Sequence, residues 1–452
     1  MNRARAASAG AALLPLSLAG LGGLLLWLLF GDLGVSMRER AALPSALELM
    51  RRHAASDTTT SLLLSTVPAA LSMLLVPLAG YHSDRCRSHL GRRKPFLLVA
   101  APMGCLAMLG LAAAPALAVA LDAALGSWSP GLHNCRLMLF CLFWAAFDCA
   151  AISAFSLFNG LVNDLVPAGL LGRFFAVFRI VGLSVGIAYQ NWIFALTDHY
   201  LAEILVGVGL FFCVPILAMA LMVKETPLPP STVPTEKPTR LPLLFPFKHV
   251  LECFNHRAYG WAVAAFMLAG VTFSPFNTFY LHYAHAAGIA KATLGALTAA
   301  GYATSIVSAF AIGWLADRFG AVRVSTVIMT VYCATSAAGF AGVSDAESFR
   351  VFYFAHVVIS GAWFTAAASM PMALFPRARF VQFNSTKDLM VIFGTILVSS
   401  IQGPMLDLSG HAYSFTLLAG TVFSLLSLVC LTRLRASAKA VGADAGLSQL
   451  RP

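Results

Sequence analysis

Gly80-Tyr81-His82-Ser83-Asp84-Arg85-Cys86-Arg87-Ser88-His89-Leu90-Gly91-Arg92-Arg93-Lys94-Pro95-Phe96 is a basic turn between two long apolar runs. It holds five Arg/Lys residues, one acid and two glycines. A reduced copy stands far down the chain as Gly313-Trp314-Leu315-Ala316-Asp317-Arg318-Phe319-Gly320-Ala321-Val322-Arg323. From Gly80 to Gly313 the offset is 233 residues, just over half of the 452. A turn repeated at half the chain length implies two related halves.

Composition says what the halves are made of. Hydrophobic residues make up 59% of the chain and charged residues 11%, whereas a soluble domain carries about 25% charge. Too little charge remains to wet a globular surface, so the chain belongs in lipid. With about 20 apolar residues per membrane helix, the length fits twelve helices and short loops. The net charge of +11 follows from where the bases lie. With a cytoplasmic N-terminus, 23 of the 30 Lys/Arg fall at cytoplasmic ends and seven at outer ends (Arg38, Arg40, Arg51, Arg52, Arg136, Lys291, Arg350). That asymmetry predicts a multi-pass protein of the plasma (inner) membrane with both termini cytoplasmic. It also predicts contact with anionic lipid rather than nucleic acid. Arg3 and Arg5 precede an apolar run too long for a signal peptide, so an uncleaved first helix is expected. Nine scattered cysteines show no metal or disulfide spacing. There is no phosphate-binding loop, no metal-binding histidine pair and no nucleophile elbow, so neither a cofactor nor an enzyme is expected.

The expected organisation is a first six-helix bundle over 1–223, a linker over 224–255, a second bundle over 256–434 and a tail over 435–452. Pro227, Pro229, Pro230, Pro234, Pro238 and Pro242 mark the linker as a cytoplasmic connector. Span one has two readings. One is a long helix over 20–48, with Asp32 and Arg38-Glu39-Arg40 at membrane depth. The other is a span over 11–31 followed by an outer loop.

An ionised side chain at a helix centre costs about 2.5–3.5 kcal/mol even on the lenient insertion scale, so it faces a partner or water. Asp148, in the middle of span four, is the leading candidate, and Arg179 in span five is its expected partner. The pair reads either as a switch for a proton and a solute or as a lock between two helices. Asp32 follows, then Arg38, Glu39 and Arg40. Trp144 lies one turn before Asp148 and Trp363 lies in span ten; each reads as a platform for a sugar ring or as packing. Asn159, Asn163, Gln190, Asn191 and Asn384 are candidates to hydrogen-bond a solute or another helix. His282, His285, Lys387 and Asp388 are expected to be solvated at span ends.

Gly80-x3-Asp84-Arg85 with Gly91-Arg92-Arg93-Lys94, and its echo Gly313-x3-Asp317-Arg318-x-Gly320, resemble the signature loop of the major facilitator superfamily. In the first copy Asp84 and Gly91 are seven apart, where Asp317 and Gly320 are three apart. That extension and the Pro95-Phe96 ending are similar to the glycoside–pentoside–hexuronide:cation symporters and the sucrose:proton symporters. The resemblance implies an all-α fold of twelve transmembrane helices in two pseudo-symmetric bundles. It makes Asp32 and Asp148 similar to acids needed for sugar, and Arg179 similar to the arginine paired with the span-four acid. The loop residues Gly80, Asp84, Arg85, Gly91, Arg92, Arg93, Gly313, Asp317, Arg318 and Gly320 would form a charged lock between the halves. Two departures count. Leu71-Ser72-Met73-Leu74-Leu75-Val76-Pro77 lacks the acids that bind sodium in span two of the sodium-using members, which favours a proton as coupling ion, or none. Ile152 stands where melibiose permeases place a stacking tryptophan.

The expected function is secondary transport of a small hydroxylated solute, a sugar or glycoside, coupled to protons, by a monomer. The alternatives are an exporter of drugs, metabolites or organic ions, and a non-transporting sensor or scaffold. A polar central cavity favours the first, an aromatic and apolar one the second, and a cavity plugged by side chains the third.

Overall fold

The computed structural model describes residues 18–225, 257–375 and 380–441, and these are helical almost throughout. Among the described residues eleven helical stretches are long and apolar enough to cross a membrane. One of them, Arg173–Met222, is 50 residues long, about twice what a bilayer needs. It is two spans. Tyr189 bonds Ser45 and Gly182 sits against Ser36, so the first part runs alongside the opening helix in the same direction. Met219 meets Gly31 and the Thr197 carbonyl meets Arg52, so the second part runs the opposite way. The reversal falls in the wide turn Tyr189–Ile193 and the tight turn Phe194–Leu196.

The twelve spans are therefore α1 (Gly20–Arg52), α2 (Asp57–Arg85), α3 (Lys94–Leu125), α4 (Leu132–Leu165), α5 (Ala168–Ala188), α6 (Thr197–Met222), α7 (Ala258–Ala286), α8 (Lys291–Phe319), α9 (Ala321–Gly342), α10 (Ala346–Ala367), α11 (Phe383–Leu408) and α12 (Phe415–Ser437). They form two six-helix bundles, α1–α6 and α7–α12. Most of the linker lies outside the described residues, as does most of the tail.

The long reading of the first span holds. Leu18–Met37 continues through a π-helical turn, Arg38–Ala42, into Leu43–Arg52. Asp32 and the Arg38-Glu39-Arg40 cluster thus lie inside the helix, not in an outer loop. Of the seven bases counted at outer ends, Arg38 and Arg40 are corrected to membrane depth. Lipid explains the surface. Leu106, Val307 and Phe310 are exposed on mid-span faces, and Trp128, Trp192 and Trp314 are exposed near span ends, where indole rings favour the interface.

The halves meet unevenly. At the end away from the 80–94 hairpin, one apolar core joins α1–α6 to Phe276, Leu281, Leu294, Phe349, Phe352 and Leu417. Towards the hairpin end the second half has a separate core built around Tyr259, Phe266, Tyr332, Trp363 and Phe375. Polar bonds between the halves cluster at the far end as well. Ser61 donates to the Ser399 carbonyl at 2.6 Å, Thr66 meets Ser399 at 2.8 Å, and Ser65 meets Thr278 at 2.8 Å.

Two glycines allow this approach. A β-carbon on Gly295 would fall 2.2 Å from the Gln190 carbonyl oxygen, and one on Gly403 would fall 2.7 Å from Thr58 Cα. Both obstacles are backbone and cannot swing aside. Gly403→Val is therefore expected to weaken far-end closure by about 1–3 kcal/mol, the usual cost of overpacking. Spin-label distances between the far ends of α2 and α11 should lengthen. Gly313→Ala, where nothing lies within 4 Å of the added carbon, should leave them unchanged.

Candidate functional site

Between the halves at mid-depth lies a cavity of about 580 Å³, within the range of small-molecule sites. The first half contributes Arg38, Glu39 and Arg40 from the widened turn of α1, Leu43, Pro44 and Leu47 beyond it, Arg179 and Leu183 from α5, and Gln190. The second half contributes Asn277 and Tyr280 from α7, Thr298, Tyr302 and Ser305 from α8, and Tyr353, His356, Val357, Ser360, Gly361 and Phe364 from α10. Thirteen of these twenty residues carry a side-chain polar or charged group.

The leading acid has a different partner from the expected one. Asp148 is fully buried in α4 and accepts a bond from Arg38 Nε at 2.7 Å on Oδ1. Arg179 instead donates to the Gly361 carbonyl of α10 at 2.8 Å. The reason is the length of α1, which brings its own base to the middle of α4. A π turn carries an extra residue, so three consecutive residues, 38–40, reach the cavity wall. Asp148 does not itself line the cavity; Arg38 stands between. Among the described residues Oδ2 of Asp148 is buried without a donor, and so is Oδ2 of Asp32. Asp32 is also fully buried and accepts from Ser36 at 3.1 Å. Arg40 lies over the Tyr302 ring, 5.0 Å from its centroid.

Of the two readings given to the tryptophans, packing fits their places. Trp144 is 2% exposed and lies between Phe140 and Phe147 of its own helix, and Phe147 meets Phe212 of α6. Trp363 is 4% exposed in the second-half core. Neither lines the cavity, where the stacked pair Tyr280–Tyr353 stands instead. Of the amides singled out, Gln190 reaches the cavity. Sequence reasoning missed Asn277, Thr298, Tyr302 and His356, since it weighed charges first. A histidine in the middle of span ten was the available signal. His356 Nδ1 lies 3.0 Å from Tyr332 Oη, and its Nε2 lies 3.0 Å from Asn277 Oδ1. This buried chain fixes the Asn277 side chain at the cavity wall. Lys387 and Asp388 pair at 2.8 Å. His285 is exposed, whereas both ring nitrogens of His282 are buried without a partner, so the solvated reading fails for His282.

The hairpin residues form a charged network of their own. Arg92 and Arg93 bond the Asp164 carboxylate, each at 2.6 Å, and reach Asp84 at 3.4 and 3.6 Å. Glu225 accepts from the backbone N–H groups of Arg93 and Lys94. Gly91, at φ +105°, lets the Glu225 carboxylate lie where a side chain would be. Among the described residues these partners lie in the first half and at the start of the linker (Glu225), so the network ties the ends of α3, α4 and α6 together. Arg85 stacks on Tyr81, and in the second copy Arg318 stacks on Trp314 and Phe319 beside Gly320, at φ +89°. Gly80 and Gly313 have open space beside them, and Asp317 is exposed.

Apart from the Arg179–Gly361 bond, the polar contacts described between the halves lie mostly at the far end. Asp407 of α11 accepts from the backbone N–H of Asp57 at 2.8 Å and of Thr58 at 2.9 Å, capping α2 from the other half. His411 Nδ1 bonds Asp57 Oδ2 at 2.7 Å, and Tyr413 donates to Asp57 Oδ1 at 3.2 Å. On the other side Lys291 of α8 meets Glu48 at 2.6 Å and Asp198 at 2.5 Å.

The family model described as "MFS/sugar transport protein" matches residues 56–379. The chain belongs to this family. It is a multi-pass membrane transporter of the major facilitator superfamily that moves a small solute, and the family is not a class of enzymes. The fold is shared with the nucleoside transporter NupG, at 14% identity and TM-score 0.67, over 92% of this chain and 99% of that one. A bacterial homologue of the human lysosomal transporter Spinster aligns at 13% identity and TM-score 0.60, over 92% and 97%. A bacterial homologue of the iron transporter ferroportin, inward-facing, aligns at 14% and 0.59, over 92% and 99%. No curated protein matches the chain by sequence.

The far-end clasp of this transporter contains a titratable joint. The hydrogen bond to Asp57, aided by the charges of Asp57 and Asp407, holds the His411 imidazole above its ordinary value of 6.5. A base whose value is raised in the closed form stabilises that form fully below the ordinary value, and the contribution is lost as pH rises through the raised value. Far-end closure should therefore weaken between about pH 6 and 8. The effect is small, because His411 is 58% exposed and exposed pairs contribute little. Spin-label distances across the far end should show this trend, and His411→Gln should remove it.

Proposed function

We propose that the chain moves a small hydroxylated solute, a sugar or glycoside, together with a proton by alternating access. The observation that carries this reading is Asp148. It is fully buried, with one oxygen on Arg38 at the cavity wall and the other without a donor. A buried carboxylate oxygen without a donor is costly unless it holds a proton. The unprotonated acid keeps Arg38. A proton on Asp148 weakens that hold and lets the guanidinium turn to a solute in the cavity. Asp32, with the same kind of oxygen beneath Arg40, is the second proton site. The hydroxyls and amides of Asn277, Tyr280, Thr298 and Gln190 suit a polyhydroxylated guest, and the Tyr280–Tyr353 pair suits a ring face.

The bundles 1–223 and 256–434 would rock about this cavity, with the hairpin end cytoplasmic in the plasma (inner) membrane and the protein acting as a monomer. In that orientation closure at the far end corresponds to an inward-facing state. The hairpin residues Asp84, Arg92 and Arg93 would act as a strut within one bundle rather than as a lock between two.

Reconstituted protein should acidify or alkalinise vesicles when one of a panel of sugars, glycosides and nucleosides is added. Asp148→Asn should abolish that proton movement by tenfold or more, about 1.4 kcal/mol of coupling, while exchange of labelled solute persists. If the wild type moves panel solutes without moving protons, the coupling part of the reading is wrong. If no panel solute moves, the sugar reading is wrong.

A further inference from the structure

Three arginines face the cavity, and Asp148 neutralises only one of them. Arg179 donates to a carbonyl, that of Gly361, and Arg40 lies on the ring of Tyr302. Among the described residues neither guanidinium has a carboxylate within ion-pair distance. The charge that bears on Arg179 is that of Arg40, a like charge. Two guanidiniums that repel each other at membrane depth are unfavourable unless an anion joins them. The acids nearby bear on Arg40 and not on Arg179. The charges of Glu39, exposed at the cavity wall, and of Asp32, buried and bonded to Ser36, act on Arg40. Among the described residues no negative charge acts on Arg179. With a proton on either buried acid, the cavity carries positive charge in excess.

We propose that the solute is a hydroxylated organic anion whose carboxylate or phosphate is held between Arg40 and Arg179. This rests on the reading above and sharpens it by giving the solute a charge. Guanidinium to carboxylate is a stronger bond than guanidinium to carbonyl, so the anion draws Arg179 away from Gly361. The Gly361 carbonyl keeps its bond from Thr365 at 2.9 Å and is not left bare. Arg179 is the α5 cavity residue nearest the hairpin end, and its bond to Gly361 crosses from α5 to α10. Releasing it loosens the contact between the halves on the side opposite the far-end clasp. A proton on Asp148 or Asp32 and an anion on the arginines then favour each other, because each makes the cavity's charge more acceptable to the other.

The test uses purified full-length protein in lipid nanodiscs and matched solutes: glucose against gluconate and glucose 6-phosphate, and adenosine against its 5′-monophosphate. Affinity is read by calorimetry at constant ionic strength. The acidic partner should bind about tenfold to a hundredfold more tightly, with the carboxylate and phosphate arms telling which anion is taken. Arg179→Gln and Arg40→Gln should collapse that ratio towards one. Arg179→Lys, which keeps the charge without the forked geometry, should retain part of it; should a glutamine variant not fold, this variant carries the test. If neutral solutes bind as tightly as their acidic partners, or more tightly, the anion inference is overturned and the hydroxylated-solute reading stands. If acids without hydroxyls, such as succinate, bind as well as gluconate, the arginine site stands and the hydroxylated reading falls. If no member of any pair binds, both are overturned.

Discussion

A charge at membrane depth must find its partner inside the protein, and the contact that most of this architecture serves is Arg38 with Asp148. Each alone would cost about 2.5–3.5 kcal/mol at a helix centre. Together they hold α1 against α4 at 2.7 Å in the middle of the first bundle. To deliver Arg38 there, α1 must run on past Asp32 instead of ending, and it must widen at Arg38–Ala42 so that Glu39 and Arg40 still face the cavity. Because Arg38 is occupied, Arg40 and Arg179 are left with a ring and a carbonyl. The chemistry of the cavity follows from that one allocation.

Much of the fold was legible in the chain, for identifiable reasons. The 80–94 hairpin and its copy at 313–323 mark corresponding places in two halves, and composition forces both halves into lipid. The length of α1 was legible too, because the next span has to end at the hairpin. Asp148 could be found from its depth alone. Its partner could not, because two separate helices each carry an arginine at that depth and the sequence does not say which one packs on α4. Arg179 was named as the arginine of the next helix and by its resemblance to the paired arginine of the family, whereas the fold brought in a residue 110 positions away. Trp144 misled for a related reason. It lies one turn from Asp148, yet its ring is packed between Phe140 and Phe147 of its own helix, with Phe147 against Phe212 of α6, and does not reach the cavity. The second-half lining was missed because Asn277, Thr298 and Tyr302 are uncharged, and polar residues of that kind also serve helix packing.

The two copies of the hairpin have diverged in what they hold. The first, four residues longer, wraps Arg92 and Arg93 around Asp164 and sets the start of α3 on Glu225. Gly160 leaves room for the Arg93 guanidinium. The second keeps the positive-φ glycine at Gly320 but lays Arg318 on aromatic rings. A signature shared by both halves therefore does not imply a bond between them. In the first half it fastens one bundle to itself.

Comparing the bonds within a bundle with those between bundles indicates where the molecule is free to move. The hairpin network is charged, forked and shared among several partners, and bonds to charged groups contribute about 1.5–3 kcal/mol each. The far-end junction combines serine and threonine hydroxyls, the Asp407 cap on α2, an exposed histidine and the bridges from Lys291 to Glu48 and Asp198. Its neutral hydrogen bonds contribute about 0.5–1.5 kcal/mol each, and water can replace them when the surfaces part. Its charged groups lie at the same end and meet water on the same opening. A bilayer-embedded protein that separates along this joint keeps the Arg38–Asp148 pair and the hairpin network intact. It gives up contacts that the aqueous side can satisfy at once.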